Sequence, residues 1–334
     1  QLIQLSPSLD PMKIHSRTRR LALAGAAVLA FAAVTLPALA QSAWPDKPIR
    51  WIVAYPAGGG SDFLARQLAP QLGKQLGQSL VIDNKPGAAG IIGTEAAAKS
   101  AGDGYTIVTG DNGAMVFHSA MYKKLPYDPK DFKPVGFMAR FPLILAVNPN
   151  SGLTSARQLL DELQKSPGKY SYASPGTGSP HHLAMELLKD RTKSQVLHVP
   201  YRGTALALQD VISGQVPMMV LDTAAGLPQI RSGKVKALAV MSKKRIATLP
   251  DVPTLDEIGI KDFDVSAWQG LFVPRATPDD IVARLTAEMN KAILMPDVKA
   301  RLEDFGLEVL PGDGPALSAF VQKETTFWHA LIKE

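Results

Sequence analysis

The spacing of apolar positions changes repeatedly along the chain, and the first sharp change falls within 49–76. Residues 49–55 are dominated by β-branched and aromatic side chains, the composition of a buried strand. The run stops at Pro56, passes Gly58, Gly59 and Gly60, and gives way to Leu64, Leu68, Leu72 and Leu76. One apolar position every four residues is one face of an amphipathic helix. Ser61 and Asp62, both good N-cap residues, stand where that helix should begin.

The alternation continues to the C-terminus. A second strand ends near Asp83 at a turn over 84–90, with an alanine-rich helix behind it, and 105–109 forms a third strand ending in Gly110-Asp111-Asn112-Gly113. Residues 135–147 are almost wholly apolar around Arg140 and Pro142, long enough to run out of one sheet and into another. Thr154 is placed to cap a helix through Gln164, and 170–173 is a strand. The segment 174–180 then leads to a helix over 181–190. Strands at 196–199, 216–221 and 235–240 complete the middle of the chain, with a helix after Thr204. A strand at 268–273 precedes a helix start at Thr277-Pro278-Asp279. Strand and helix in turn, with no internal repeat and no low-complexity linker, predict an α/β protein with largely parallel sheets. The apolar stretches near 135–147 and 266–274 act as two crossovers between two lobes. Lobe 1 is expected to hold 43–141 and 267–334, and lobe 2 to hold 142–266.

A strand, a glycine turn and a helix start aim free N–H groups and the positive end of a helix dipole at one point, which suits a small anion. The bland alternative is an ordinary tight βα connection. A Walker A loop is excluded because Ser61-Asp62-Phe63, not Lys-Ser/Thr, follows the last glycine. The dinucleotide fingerprint fails because Phe63 stands where its third glycine belongs. Asp62 puts negative charge beside the site, which fits a monocarboxylate group better than a polyphosphate; its simpler role is the helix cap.

The N-terminus sets the expected compartment. Lys13, Arg17, Arg19 and Arg20 precede an apolar run over 21–36, and Ala38-Leu39-Ala40 forms an A-x-A site before Gln41. Together these describe a secretory signal peptide with its initiator at Met12, and the run is too short to span a membrane comfortably. Residues 1–40 carry four basic residues and one acidic residue, so the remaining 294 residues have a formal charge of +3. That charge gives no reason to expect nucleic acid. The absence of cysteine excludes disulfides, thiol catalysis and a lipid-modified N-terminal cysteine. A soluble periplasmic monomer without stable membrane insertion is the expectation.

The segment Ser174-Pro175-Gly176-Thr177-Gly178-Ser179-Pro180 repeats the logic of the first loop: strand, flexible residues, hydroxyls, helix N-terminus. Loops at the carboxyl ends of strands are where open α/β sheets bind ligands. Two such loops, one per lobe, would clamp one small molecule across a cleft. His118, His181, His182 and His198 lack any recognised metal-ligand spacing, so no metal and no cofactor are expected. No serine lies in a G-x-S-x-G elbow. Trp268 either stacks on a ligand or fills the core at the crossover. Arg202 pairs with an anion or faces solvent, and Lys243, Lys244 and Arg245 read as a solvated run.

With these residues in view, the chain resembles the Bug-type receptors of tripartite tricarboxylate transporters. The resemblance covers essentially 43–334 and rests on eight segments in order: WPDKPIRWIVAYPAGGGSDFLAR, DNKPGAAGIIG, DGYTIVTG, LPYDPKDFKPV, YSYASPGTGSPHHLAMELL, HVPYRGTALALQDVISGQV, LPDVPTLDEIG and WQGLFVPRATP. It implies a type II periplasmic-binding-protein fold, two α/β lobes with a ligand cleft between them, and a non-catalytic receptor. Its ligand would be a small carboxylate: a dicarboxylate or tricarboxylate, an acidic amino acid or a related organic acid. Its partners would be membrane permease subunits. The positions carried over are Tyr55, Ala57, Gly58, Gly59 and Ser61 in the first loop and Ser174, Gly176, Thr177, Gly178 and Ser179 in the second. Asn112, Gly113, Tyr201, Thr204, Asp222 and Trp268 stand near the same cleft. After Thr109 the chain departs from the family pattern, and Asp111 and Asn112 there are suited to a ligand hydroxyl or amine, or to repelling a second carboxylate. Two other readings stay open: an exported α/β enzyme acting on a small acid, which needs a nucleophile–base pair, and a receptor for a signalling partner.

Overall fold

A computed structural model of the chain describes residues 44–333, and the expected signal peptide and its cleavage site lie outside the described residues. Ten strands join into one sheet: β1 (Ile49–Val53), β2 (Leu80–Asn84), β3 (Thr106–Asp111), β4 (Phe132–Val147), β5 (Ser171–Ser174), β6 (Leu197–Pro200), β7 (Met218–Asp222), β8 (Lys236–Val240), β9 (Ser266–Pro274) and β10 (Glu308–Val309). Their order is β2-β1-β3-β9-β4-β7-β5-β6, with β8 and β10 also paired to β4.

The expectation of largely parallel sheets needs correction. β1 runs parallel to β2 and β3, and β5 runs parallel to β6 and β7. β4 and β9, however, run antiparallel to every strand they pair with. They are the two crossover strands, and they carry the chain between sheet halves against the direction of the βα units. β4 is 16 residues long. Its first part pairs with β9, and its last five residues pair with β7 and β8. The apolar run expected at 135–147 is therefore one strand serving both halves, buried almost throughout because both of its faces are covered.

Helices follow the strands on both halves: α1 (Gly60–Leu76), α2 (Ile91–Ala98), α3 (Ala156–Lys165), α4 (Pro180–Thr192), α5 (Thr204–Ser213), α6 (Thr223–Arg231), α7 (Asp279–Ile293), α8 (Pro296–Asp304) and α9 (Gly314–Lys333). α1 buries Leu64, Leu68, Leu72 and Leu76, as their spacing requires. α3 starts one residue later than expected: Ser155 is its cap, accepting from the Gln158 N–H, while Thr154 hydrogen-bonds the Gln158 side chain. After β3 the chain makes a turn of π-helix (Gly113–Phe117) that runs into His118–Met121. In the core between β4, β9 and α9, Phe137, Trp268 and Phe320 pack edge to face. Among the described residues, no helix is long and apolar enough to cross a membrane.

Candidate functional site

The loop after β1 is built around a cap that the sequence placed elsewhere. Gly59, not Ser61 or Asp62, is the N-cap of α1, with φ −93° and ψ 173° and no side-chain cap. Gly58 takes a positive φ of 83°, which a β-branched residue would adopt only with strain. Asp62 reaches back from the first turn to accept the Gly58 N–H at 3.0 Å, and it also accepts from Arg66 and Asn84. Burial pushes its carboxyl up, but these hydrogen bonds outweigh it and hold the group below the usual carboxylate range. The Ser61 hydroxyl is bonded to Gln269 Nε2 on β9.

A second helix starts the same way. α5 follows Gly203, which has φ 113° and ψ 164°, and it too has no side-chain cap. Gly59, Gly60 and Ser61 of the first loop and Gly203, Thr204, Ala205 and Leu206 of the α5 start line one cavity of about 230 Å³. The first-turn N–H groups of a helix lack intrahelical partners, and each N-terminus carries a partial positive charge. Two helix starts without side-chain caps on one small cavity make an anion-binding arrangement.

The rest of the wall comes from other elements. Asp222, at the end of β7, caps α6 by accepting the Ala225 N–H at 3.0 Å, and His181 Nε2 stands 3.2 Å from its other oxygen. Asp111, at the end of β3, accepts the Tyr55 hydroxyl at 2.7 Å and the Ala114 N–H at 2.8 Å. Burial raises the Asp111 carboxyl above its ordinary value against the pull of those bonds. Burial and the neighbouring Asp111 push the Tyr55 phenol well above its own. Phe141, Ala267 and Gln269 enter from the crossover strands.

The loop after β5 gives Pro175 and Pro180 to the wall of this cavity and stands on a scaffold of histidines. The Ser174 hydroxyl lies 2.6 Å from His198 Nε2, and Gly178 N–H donates to His182 Nδ1 at 3.2 Å. His182 and His198 stack with ring centres 4.2 Å apart. A Cβ on Gly178 would stand 3.0 Å from the His118 ring, and its φ is 87°. Ser179 caps α4 by accepting the His182 N–H. Burial depresses His198 and His118 to about 4 each. His118 thus pairs with Tyr127 and His181 with Asp222, while His182 and His198 stack on each other.

Of the positions expected at a site, Tyr55, Ala57, Gly59, Ser61, Thr204 and Asp222 line the cavity. Gly176, Thr177 and Tyr201 line a neighbouring hollow of about 620 Å³, which also touches Tyr55 and Arg202. Gly58 turns its N–H to Asp62, the Ser174 hydroxyl meets His198 on β6, and the Ser179 hydroxyl accepts the His182 N–H of α4. Gly113 and Gly178 face each other, a Cβ on the former standing 2.9 Å from the carbonyl of the latter. Asn112 turns to the start of β9, accepting from Trp268 N–H at 3.0 Å. Trp268 is 1% exposed and fills the core. Phe141 and Gln269 also line the cavity with no local pattern to mark them, and Gly60 lines it as the last of the three turn glycines. His181 drew attention only as a metal ligand, although its place in the first turn of α4 was a usable signal.

Comparison with known proteins places these features in context. A family profile described as "Tripartite tricarboxylate transporter family receptor" matches residues 64–334. Protein BugT of Bordetella pertussis is 34% identical over 325 residues, covering 95% of this chain and 97% of that protein. Among solved structures, Rpa4515 of R. palustris with adipate superposes with a TM-score of 0.84 at 32% identity, covering 87% of this chain and 97% of the other. MatC (Rpa3494) of Rhodopseudomonas palustris, with bound malate, gives 0.82 at 32% identity, covering 86% and 100%.

Proposed function

The chain belongs to the tripartite tricarboxylate transporter receptors, and from that membership we propose that it is an exported receptor that traps a small carboxylate and delivers it to a membrane permease. The observation that carries this reading is the meeting of two helix N-termini without side-chain caps, α1 after Gly59 and α5 after Gly203, on one cavity. A carboxylate there would accept from main-chain N–H groups without a buried cation. The adipate and malate named in the two R. palustris structures support the ligand class.

In this reading 43–141 with 267–334 and 142–266 act as two lobes about β4 and β9, and the residues lining the cavity form the binding surface. The loop after β5 contributes Pro175 and Pro180 to that surface. The enzyme alternative would draw on Ser174 and His198, which are 2.6 Å apart. Ser174 is fully buried and does not line the cavity, so the pair favours a structural role.

Native mass spectrometry of the protein purified from the periplasm tests the proposal, together with a thermal-shift screen of small organic acids and amino acids. An unchanged acid carried through purification, or a saturable shift with one, supports a receptor. Conversion of an added acid to product would establish the enzyme instead.

A further inference from the structure

We propose that the cavity selects a small carboxylic acid whose far end is a protonated amine rather than a second carboxylate. This rests on the receptor reading and deepens it. The helix starts of α1 and α5 account for one carboxylate. The remaining polar groups of the wall are of the opposite kind: Asp111, Asp222, His181 and Gln269 line the same cavity, exposed by 5%, 3%, 7% and 5%.

Each of the two acids has spare acceptor capacity. A carboxylate offers about four lone-pair sites. Asp111 receives Tyr55 and Ala114, and Asp222 receives Ala225 and His181. His181 points Nε2 at Asp222, which leaves its buried Nδ1 with no hydrogen-bond partner. Gln269 gives its Nε2 to Ser61, and its buried Oε1 also has no partner. Asp111 and Asp222 are the two acidic side chains of the wall, and their open lone pairs point to a donor-rich ligand group.

Charge leads to the same choice. A second carboxylate would be desolvated against Asp111 and Asp222. The one arginine of the wall, Arg202, is exposed and precedes Gly203 at the α5 start, whereas Asp111 and Asp222 are buried. Like charges brought together out of water disfavour one another strongly, whereas an ammonium brings three donors and the opposite charge.

The test is calorimetric titration of the purified protein, freed of carried-over ligand, with two matched series: 4-aminobutyrate, succinate and butyrate, then 5-aminovalerate, glutarate and valerate. In at least one series the amino acid should bind at least tenfold more tightly than the diacid and the plain acid of equal length. Asp111→Asn and Asp222→Asn should each narrow the amine-over-diacid preference tenfold or more. If either variant fails to fold, the wild-type series still decides. A diacid that equals or surpasses its amino counterpart overturns the inference and leaves the receptor reading standing. If no acid of either series binds, the inference falls, and the receptor reading is decided by the wider screen of acids and by native mass spectrometry.

Discussion

A Cβ on Gly60 would stand 2.9 Å from Oδ1 of Asp222 and 3.1 Å from the Phe141 ring. The first residue of α1 and the cap of α6 therefore meet across the cavity with no room for a methyl group. Gly60 needs no positive φ; the constraint is space alone. Gly60→Ala should destabilise the protein by about 1–3 kcal/mol through overpacking and weaken ligand binding by displacing Asp222. Gly59→Ala is the informative contrast, because its nearest neighbour would be Thr204 Oγ1 at an ordinary 3.7 Å. Melting temperatures with and without ligand should separate the two, with the larger loss at Gly60. Equal behaviour would mean that the two halves do not pack this closely in solution.

Ser61→Ala should cost more than the loss of a helix cap. The Ser61 hydroxyl is the partner of Gln269, a residue whose Oε1 already has none. Removing it strands a second polar group of a buried side chain, a penalty of about 1–3 kcal/mol. Chemical denaturation measures this directly. Ser61→Ala combined with Gln269→Leu should recover part of the loss, since removing both partners is far milder than removing one. A double variant no better than the single would show that the bond contributes nothing.

These two cases also mark what sequence can and cannot reveal. β1, the glycine turn and the leucine face of α1 were readable because their signals are local: a β-branched run, three glycines, a four-residue period. The long apolar stretch over 135–147 is legible as one continuous buried element, but not its place inside a single sheet or its antiparallel run against its neighbours. The true cap of α1 was missed because Ser61 is committed to a partner 208 residues away. Gly60 was passed over as one glycine among three, since only tertiary packing distinguishes it. Asp111 and Gln269 meet in the cavity by sheet order, through the β3–β9 pairing, where Asp111 and Gln269 are register partners. No spacing along the chain encodes that neighbour.

Acid should weaken the fold between about pH 6.5 and 4. Burial depresses His118 and His198 to about 4 from an ordinary value of 6.5. The unfolded chain therefore binds more protons than the folded one in this window, so stability falls as pH falls through it and loses nothing further from these groups below pH 4. For His118, whose ring is fully enclosed, the full effect is roughly 3 kcal/mol. Melting temperature followed from pH 7.5 to 4 checks the slope, and His118→Gln should flatten it while lowering stability at neutral pH. A profile unchanged in the variant would mean that the ring is protonated with little penalty in the folded state.

Asn112 separates a residue that holds the crossover from one that touches ligand. Its Oδ1 accepts from Trp268 N–H at 3.0 Å and its Nδ2 donates to Ser266 O at 3.3 Å, so one side chain grips the start of β9 by both ends. The side chain is buried and does not line the cavity. Asn112→Ala leaves a buried N–H and a carbonyl without partners, a cost of about 1–3 kcal/mol. Asn112→Asp keeps the acceptor but places a buried charge beside the Ser266 carbonyl, so it should be at least as costly. Neither change alters the chemistry of the cavity wall. Any loss of affinity should therefore be the same factor for every acid tested, with the order of preference among acids unchanged. Titration of one bound and one weakly bound acid in wild type and Asn112→Ala, alongside urea denaturation, makes the comparison. A reordering of the two acids with stability intact would place Asn112 in contact with ligand and remove it from the crossover.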